Sequence, residues 1–393
     1  MKKNIFIDVF KRRGKVDENA YSMIGTELKR VRTSQSQTLS SIAGDLCSVS
    51  YLCKIEKAQL KPNRYMLNEI CKKLHLESPK LDLLFELKNL LLKLVKYYYA
   101  RDFEEVKKLY ETCKDLDNYR TKLIFLIYYI TFYMLQEANE VSKELFKITS
   151  EMLDDELSIF LVFYSILKYY DECYNETIDN LKQLSSIYYL DDTLGKIASV
   201  LCLECYVKIN SPMTLLHSQK LLDLFLKSSE FSKAEYVRYL QTLYMIHNSM
   251  LESAVVELEF IKDKEFKNTL EFYYDIKNQT LQNKEHYKNL RPFARLIYIH
   301  LFEPKKYIEA FFNQNKNDFY MCDFSYNIAN YFTFSDDKER YKELTDVIIP
   351  NILQTKDYID KLFFLREFCR ISKKYGRYKC FCNAYSDLEG EIL

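Results

Sequence analysis

Beyond residue 77 the chain repeats itself as pairs of aromatic-rich helices, and this recurrence limits the possible fold more than any single motif. Apolar residues at helical spacing open first helices near Leu83, Tyr119, Glu156, Thr193 and Ala234, about 36 to 41 residues apart. Second helices follow near Phe103, Glu137, Tyr174, Thr214 and Leu251. The joints agree in kind. Ala100-Arg101-Asp102-Phe103 is followed by Val106 and Tyr110, and Tyr375-Gly376-Arg377-Tyr378 by Phe381 and Tyr385. Five pairs are clear, and up to three more continue to Leu393.

A chain of 393 residues with 6 Gly, 6 Pro and no Trp lacks the punctuation that doubly wound sheets, nucleotide-binding loops and β-sandwiches need. The expected fold is therefore all-α: an N-terminal helix-turn-helix bundle followed by a right-handed superhelical array of tetratricopeptide-like helix pairs. The longest apolar run, Leu123 to Leu135, is too short for a bilayer, which takes roughly 18–20 residues. The apolar stretch of the opening MKKNIFIDVFKRRGK is about half a signal-peptide core. A cytoplasmic protein is expected, with no membrane partner, and the 11 cysteines read mainly as small buried hydrophobes.

The net charge of +1 hides an asymmetry. Residues 1–76 carry 15 Lys/Arg against 7 Asp/Glu, and the remainder 42 against 49. A basic head on an acidic body points to a polyanion partner for the head alone. Residues 1–22 read as a flexible arm in which Lys11 to Lys15 can meet phosphates. Residues 23–76 hold four short helices. The first spans about Gly25 to Arg32, with Leu28 and Val31 inward. Thr38 caps the second, Leu39 to Leu46, whose apolar face is Leu39, Ile42, Ala43 and Leu46. The third, about Val49 to Lys57, turns Leu52 and Ile55 inward and Ser48, Val49, Tyr51, Lys54 and Lys57 outward. After Pro62 the fourth carries Met66, Leu67, Ile70 and Leu74. Two short helices across a tight turn in a small basic bundle form the pattern of a helix-turn-helix.

The segment from Thr38 through Ile42-Ala43 to Ile55-Glu56 resembles the DNA-binding head of the Rgg/PlcR-type (RRNPP) regulators, which are peptide-pheromone-responsive transcription factors with XRE-like heads and tetratricopeptide-like repeats. The likeness rests on motif over 23–76 and on repeat organisation over 80–393. Three departures stand out. Ala58 replaces the glycine that usually follows Ile-Glu-x, Gly44 falls inside the second helix at an expected penalty of about 1 kcal/mol against alanine, and the array is longer than in many relatives. The resemblance implies that the third helix enters the major groove, with Ser48, Val49, Ser50 and Tyr51 at base edges. Lys54, Lys57, Arg30 and Arg32 would then clamp phosphates, and Thr38 with the second helix's N-terminus would offer backbone N–H groups to another.

One such head reads half a turn of duplex, so paired operator half-sites and a homodimer follow, with Phe363, Phe364, Leu365, Phe368 and Phe381 either at the dimer interface or in the last repeat's own core. Stacked helix pairs curve and line a concave groove, which residues 77–393 would offer to a short signalling peptide. The inward positions are Tyr98, Tyr99, Tyr169, Tyr170, Tyr236, Tyr239, His247, Tyr326 and Asn330, which supply apolar area and hydrogen bonds to an extended backbone. No cofactor, metal or catalytic constellation is expected. The five histidines are scattered, and Cys202-Leu203-Glu204-Cys205 falls within an apolar helix without a second pair. Two other readings remain open at this point: a protein-interaction scaffold with a degenerate helix-turn-helix, and a ligand-independent repressor of a mobile element.

Overall fold

The computed structural model describes residues 20–57, 59–60, 62–76, 79–116, 118–149, 152–184, 193–278, 280–282, 285–303, 336–350 and 358–377, with isolated positions at 307, 310, 311, 314, 331, 379 and 382. Every regular element among them is a helix. The head comprises α1 (Ala20–Ser34), α2 (Leu39–Ala43), α3 (Val49–Glu56) and α4 (Arg64–Lys73). The expected helix pairs follow as α5 (Pro79–Ala100) with α6 (Phe103–Cys113), α7 (Tyr119–Thr131) with α8 (Leu135–Phe146), α9 (Asp154–Tyr170) with α10 (Tyr174–Leu184), α11 (Thr193–Lys208) with α12 (Met213–Lys227), and α13 (Phe231–His247) with α14 (Leu251–Glu259). Then come α15 (Lys264–Asn278), a 3-10 turn (Glu285–Lys288), α16 (Pro292–Phe302), α17 (Asp337–Glu343), a π-helical turn (Leu344–Ile348) and α18 (Tyr358–Lys374). No described helix is long and apolar enough to cross a membrane. The chain divides into two compact units, residues 1–167 with 179–198, and residues 168–178 with 199–393, so the head and the first repeats share one unit.

The joints explain how so many helices fit a chain with so little glycine. Arg101, Tyr133, Glu172, Asn210, Ser229 and Ser249 each adopt φ between 52 and 59° one or two residues past the end of a helix. The following N–H reaches back along the chain to a carbonyl of the helix's last turn, as from Asp102 to Tyr97 (2.9 Å), Met134 to Tyr129 (2.8 Å) and Met250 to Met245 (2.9 Å). These are Schellman endings, normally given to glycine because a Cβ strains the left-handed conformation. Gly376 makes the same ending at φ 66°, so the two joints that look alike in sequence, at Arg101 and Gly376, also share a geometry. In several joints the residue that closes one helix is also the cap of the next, as at Asp102, Met134, Glu230 and Met250.

In the first unit the head closes on Leu28, Val31, Ile42, Ala43, Leu52, Ile55, Leu67, Ile70, Cys71 and Leu74. Burying each large aliphatic there contributes roughly 1.5–3 kcal/mol, which holds helices of 5, 8 and 10 residues that would not persist alone. The head differs from expectation at two points. The first helix begins at Ala20, inside the segment read as an arm; residues 1–19 lie outside the described residues. Gly44 is not interior to the second helix but caps it, at φ 41° and ψ −128°, so its freedom is used and the expected penalty does not arise. Ala58 lies outside the described residues.

In the second unit, α11 to α15 enclose a core around Leu203, Phe225, Val237, Leu243 and Leu270. A second core gathers Phe272, Tyr287, Tyr298, Tyr331, Leu344, Phe364 and Phe368. Phe364, Leu365 and Phe368 are therefore buried within the chain itself and offer nothing to a dimer interface; the side chains of Phe363 and Phe381 lie outside the description.

Candidate nucleic-acid interface and aromatic row

The third helix is held from beneath and capped at its start. Ser48 Oγ accepts from Tyr51 N at 3.1 Å, which leaves its hydroxyl able to donate as well. Thr38 does the same for α2, accepting from Ser41 N at 3.1 Å. Ser48, Val49, Ser50, Lys54 and Lys57 are exposed, with Val49 at 43%, while Leu52 and Ile55 are sealed in the core. Tyr51 is half-buried and packs against that core. Gly25 of α1 lets the two helices meet: a Cβ there would stand 2.1 Å from the Ile55 carbonyl oxygen.

The two arginines grouped with these lysines have protein partners. Arg32 bridges Glu56 in a fork, Nε to Oε1 at 2.7 Å and Nη2 to Oε2 at 2.8 Å, and donates from Nη1 to the Gln37 carbonyl at 2.8 Å. It thereby ties α1, the first turn and α3 together. Arg30 forms a similar fork on Glu27, one turn earlier in α1. Lys73 donates to the Ile42 carbonyl at 3.2 Å, closing the end of α2. The exposed cations on α3 and its end are Lys54 and Lys57.

The groove candidates separate. Tyr98 and Tyr99 are half-buried in the first unit, Tyr98 lying edge-on to Phe163 at 4.9 Å. In the second unit Tyr169, Tyr170, Tyr236 and Tyr239 join a row that crosses successive helices. Tyr169 meets Tyr170 and Tyr174 edge-on at 5.8 and 5.5 Å. Tyr236 donates to Glu204 Oε1 at 2.6 Å and stacks on Tyr239 at 6.2 Å. Tyr239 stacks on Phe266 at 4.7 Å, and the Arg291 guanidinium lies 5.3 Å over Tyr239 and 5.6 Å over Phe266. Burial pushes the hydroxyls of Tyr169 and Tyr236 well above their usual range, and the Glu204 carboxylate adds to both shifts. Both are thus neutral donors at any physiological pH. Burial also raises Tyr239, against the pull of Arg291. His247 is buried farther along α13, edge-on to Tyr273 at 6.2 Å. Tyr326 and Asn330 lie outside the described residues.

Sequence reasoning settled on tyrosines and missed Glu204, Phe266 and Arg291. Glu204 left a signal, as the single charge in the apolar run Val200 to Val207. Arg291 left none, since it stands in a joint beside Pro292. Cys202 and Cys205 are buried in α11 as thiols, and burial pushes the Cys205 thiol well above its usual range. Among the described residues no three His, Cys, Asp or Glu side chains gather as a metal site.

No family model matches the chain, and no curated protein matches it in sequence. Several solved structures resemble it. The apo form of the competence regulator ComR from Streptococcus vestibularis aligns at 18% identity over 66% of this chain and 99% of its own, with a TM-score of 0.38. PlcR from Bacillus thuringiensis, solved in complex with the peptide PapR7 and DNA, aligns at 16% over 74% and 99%, with a TM-score of 0.25. The SHP pheromone receptor Rgg2 from Streptococcus dysgalactiae aligns at 17% over 75% and 99%, with a TM-score of 0.19.

Proposed function

We propose that the chain is a DNA-binding transcriptional regulator, acting in the cytoplasm as a homodimer, whose helical repeats take a short signalling peptide. The observation that carries this reading is the outward face of α3, where Ser48, Val49, Ser50, Lys54 and Lys57 lie exposed on a helix fixed by a buried helix-turn-helix core. Such a helix fits the major groove, where hydroxyl donors meet base acceptors and Val49 meets a thymine methyl. Lys54 and Lys57 supply the phosphate contacts; Arg32 acts as a strut that sets the pitch of α3. Two heads on paired half-sites give the site length that one head lacks. The solved relative holding both a peptide and DNA supports the same pairing of partners here. A peptide controls the heads to the extent that it binds one arrangement of the repeats more tightly than another. The chain performs no catalysis in this reading.

Binding of the full chain to duplexes from the flank of its own gene, against scrambled duplexes and across salt, tests it. A regulator prefers its operator by roughly a thousandfold or more, and log affinity falls linearly with log salt. Lys54→Ala and Lys57→Ala each make that slope shallower by roughly 0.9 for every phosphate the lysine neutralises. Equal affinity for operator and scrambled duplex would end the proposal.

A further inference from the structure

The second unit contains an arginine whose surroundings suit a ligand better than they suit the fold. Arg291 is the first residue before α16, and its backbone N–H is pinned to Thr269 Oγ1 at 2.9 Å, so its starting point is fixed. Its guanidinium spreads over two rings that stack on each other, Tyr239 and Phe266. The nearest carboxylate, Glu265, approaches only to 3.9 Å, with both side chains substantially exposed, so that pair stabilises little. A guanidinium held over aromatic faces keeps its edge N–H groups for acceptors in its own plane, the geometry of a forked carboxylate contact. At the far end of the same row Tyr236 and Glu204 present a carboxylate that repels a second anion.

We propose that Arg291, on its bed of Tyr239 and Phe266, is the carboxylate-reading end of the peptide site, so that a bound peptide lies with an anionic group toward α16 and its uncharged or cationic part toward Glu204. This rests on the peptide reading given above and adds the direction and chemistry of the ligand. The carboxylate comes either from the peptide's C-terminus or from an acidic side chain.

The test selects ligands for the full chain from a synthetic library of random short peptides, then measures affinities calorimetrically. Each selected peptide is remade with an amidated C-terminus and, separately, with every Asp or Glu changed to its amide. One of the two remade forms binds roughly tenfold to a hundredfold more weakly, the loss expected for a forked charged contact, and which form it is identifies the carboxylate. Arg291→Gln loses as much with the unmodified peptide and nothing further with the weakened form, whereas Arg291→Lys, which keeps the charge without the fork, falls between. A melting temperature within a few degrees of the parent shows that the variants are folded. If selected peptides bind Arg291→Gln as tightly as the parent, or lose as much on amidation in both proteins, Arg291 is not the reader and the peptide reading survives without it. If the parent selects no peptide, both readings fall together.

Discussion

In the head, α2, α3 and α4 all begin on a side-chain cap: Thr38, Ser48 and Asn63 accept from the backbone N–H groups of Ser41, Tyr51 and Met66. In the trunk the starts are mixed: Asp102 and Asn118 cap α6 and α7, but α8, α12, α13 and α14 begin with no side-chain cap at all. Their ends, by contrast, follow one rule, since Ser36 and His75 of the head close helices with the same left-handed residue that closes those of the repeats. The head's α2, α3 and α4, of 5, 8 and 10 residues, bury too little to offset orphan N–H groups without a cap, whereas α12 and α13, of 15 and 17 residues, draw on packing along their whole length. Thr38 and Ser48 also lie exposed, so two of the residues that cap the head's helices are among those proposed above to meet DNA.

The largest effect separates the buried charges of the two regions. In the trunk, Arg120 and Glu156 are 0% and 1% exposed and joined at 2.6 Å, and Glu156 also accepts from Tyr119 Oη at 2.7 Å and Leu153 N at 2.9 Å. Both terminal nitrogens of Arg120 lack a partner. Glu156→Ala therefore strands a charge in the interior, an expected loss of about 3–5 kcal/mol in urea unfolding. Pairing it with Arg120→Met restores most of that loss. In the head the matching change, Glu56→Ala, leaves Arg32 at 11% side-chain exposure and still bonded to the Gln37 carbonyl, so its loss is smaller, about 1.5–3 kcal/mol. Equal losses in the two regions would mean that the head's pair is as deeply sequestered as the trunk's.

Gly25→Ala comes next. In an ordinary helix interior this change stabilises by about 1 kcal/mol. Here the new Cβ would meet the Ile55 carbonyl, so overpacking is expected to reverse the sign, with a loss of about 1–3 kcal/mol and a shift of α3 that weakens operator binding. A stabilised variant with unchanged binding would show that α1 and α3 pass farther apart.

This position marks the limit of what the sequence could disclose. Helix periodicity gave the five pairs and the inward set of the head, since Leu28, Ile42, Leu52, Ile55 and Ile70 differ in kind from their neighbours. The need for glycine at 25 comes from the approach of Ile55, far along the chain, and no local pattern encodes that. Gly44 misled for a related reason: whether a glycine interrupts a helix or ends it depends on where the next turn of chain is held, here by Lys73 from α4. The aromatic row was legible only in its tyrosines, because Glu204, Phe266 and Arg291 come together from three separate elements.

The caps offer a finer test. Thr38→Ala and Asn63→Ala each remove a bond to an orphan N–H of a short helix, and each is expected to lower head stability by about 1 kcal/mol. Glu230→Ala, at the uncapped start of α13, is expected to change stability by less than about 0.5 kcal/mol. Hydrogen exchange read separately on head and trunk amides measures both. Equal effects at the two starts would dissolve the contrast between them.

The smallest expected change runs the other way. Ser249 closes α13 at φ 59°, a conformation that places a Cβ close to the following carbonyl, and such strain is on the order of 1–2 kcal/mol for a residue other than glycine. Ser249→Gly removes it, but it also frees the unfolded chain, which takes part of the gain back. A net stabilisation of about 0.5–1 kcal/mol is expected, with the Met250-to-Met245 bond retained. Because Ser36 in the head has φ 54° and the same pattern of bonds, Ser36→Gly should gain a similar amount. A gain at Ser249 without one at Ser36 would locate the strain in the packing of the repeats rather than in the left-handed residue itself, and the shared rule for ending helices would then hold in geometry but not in energy.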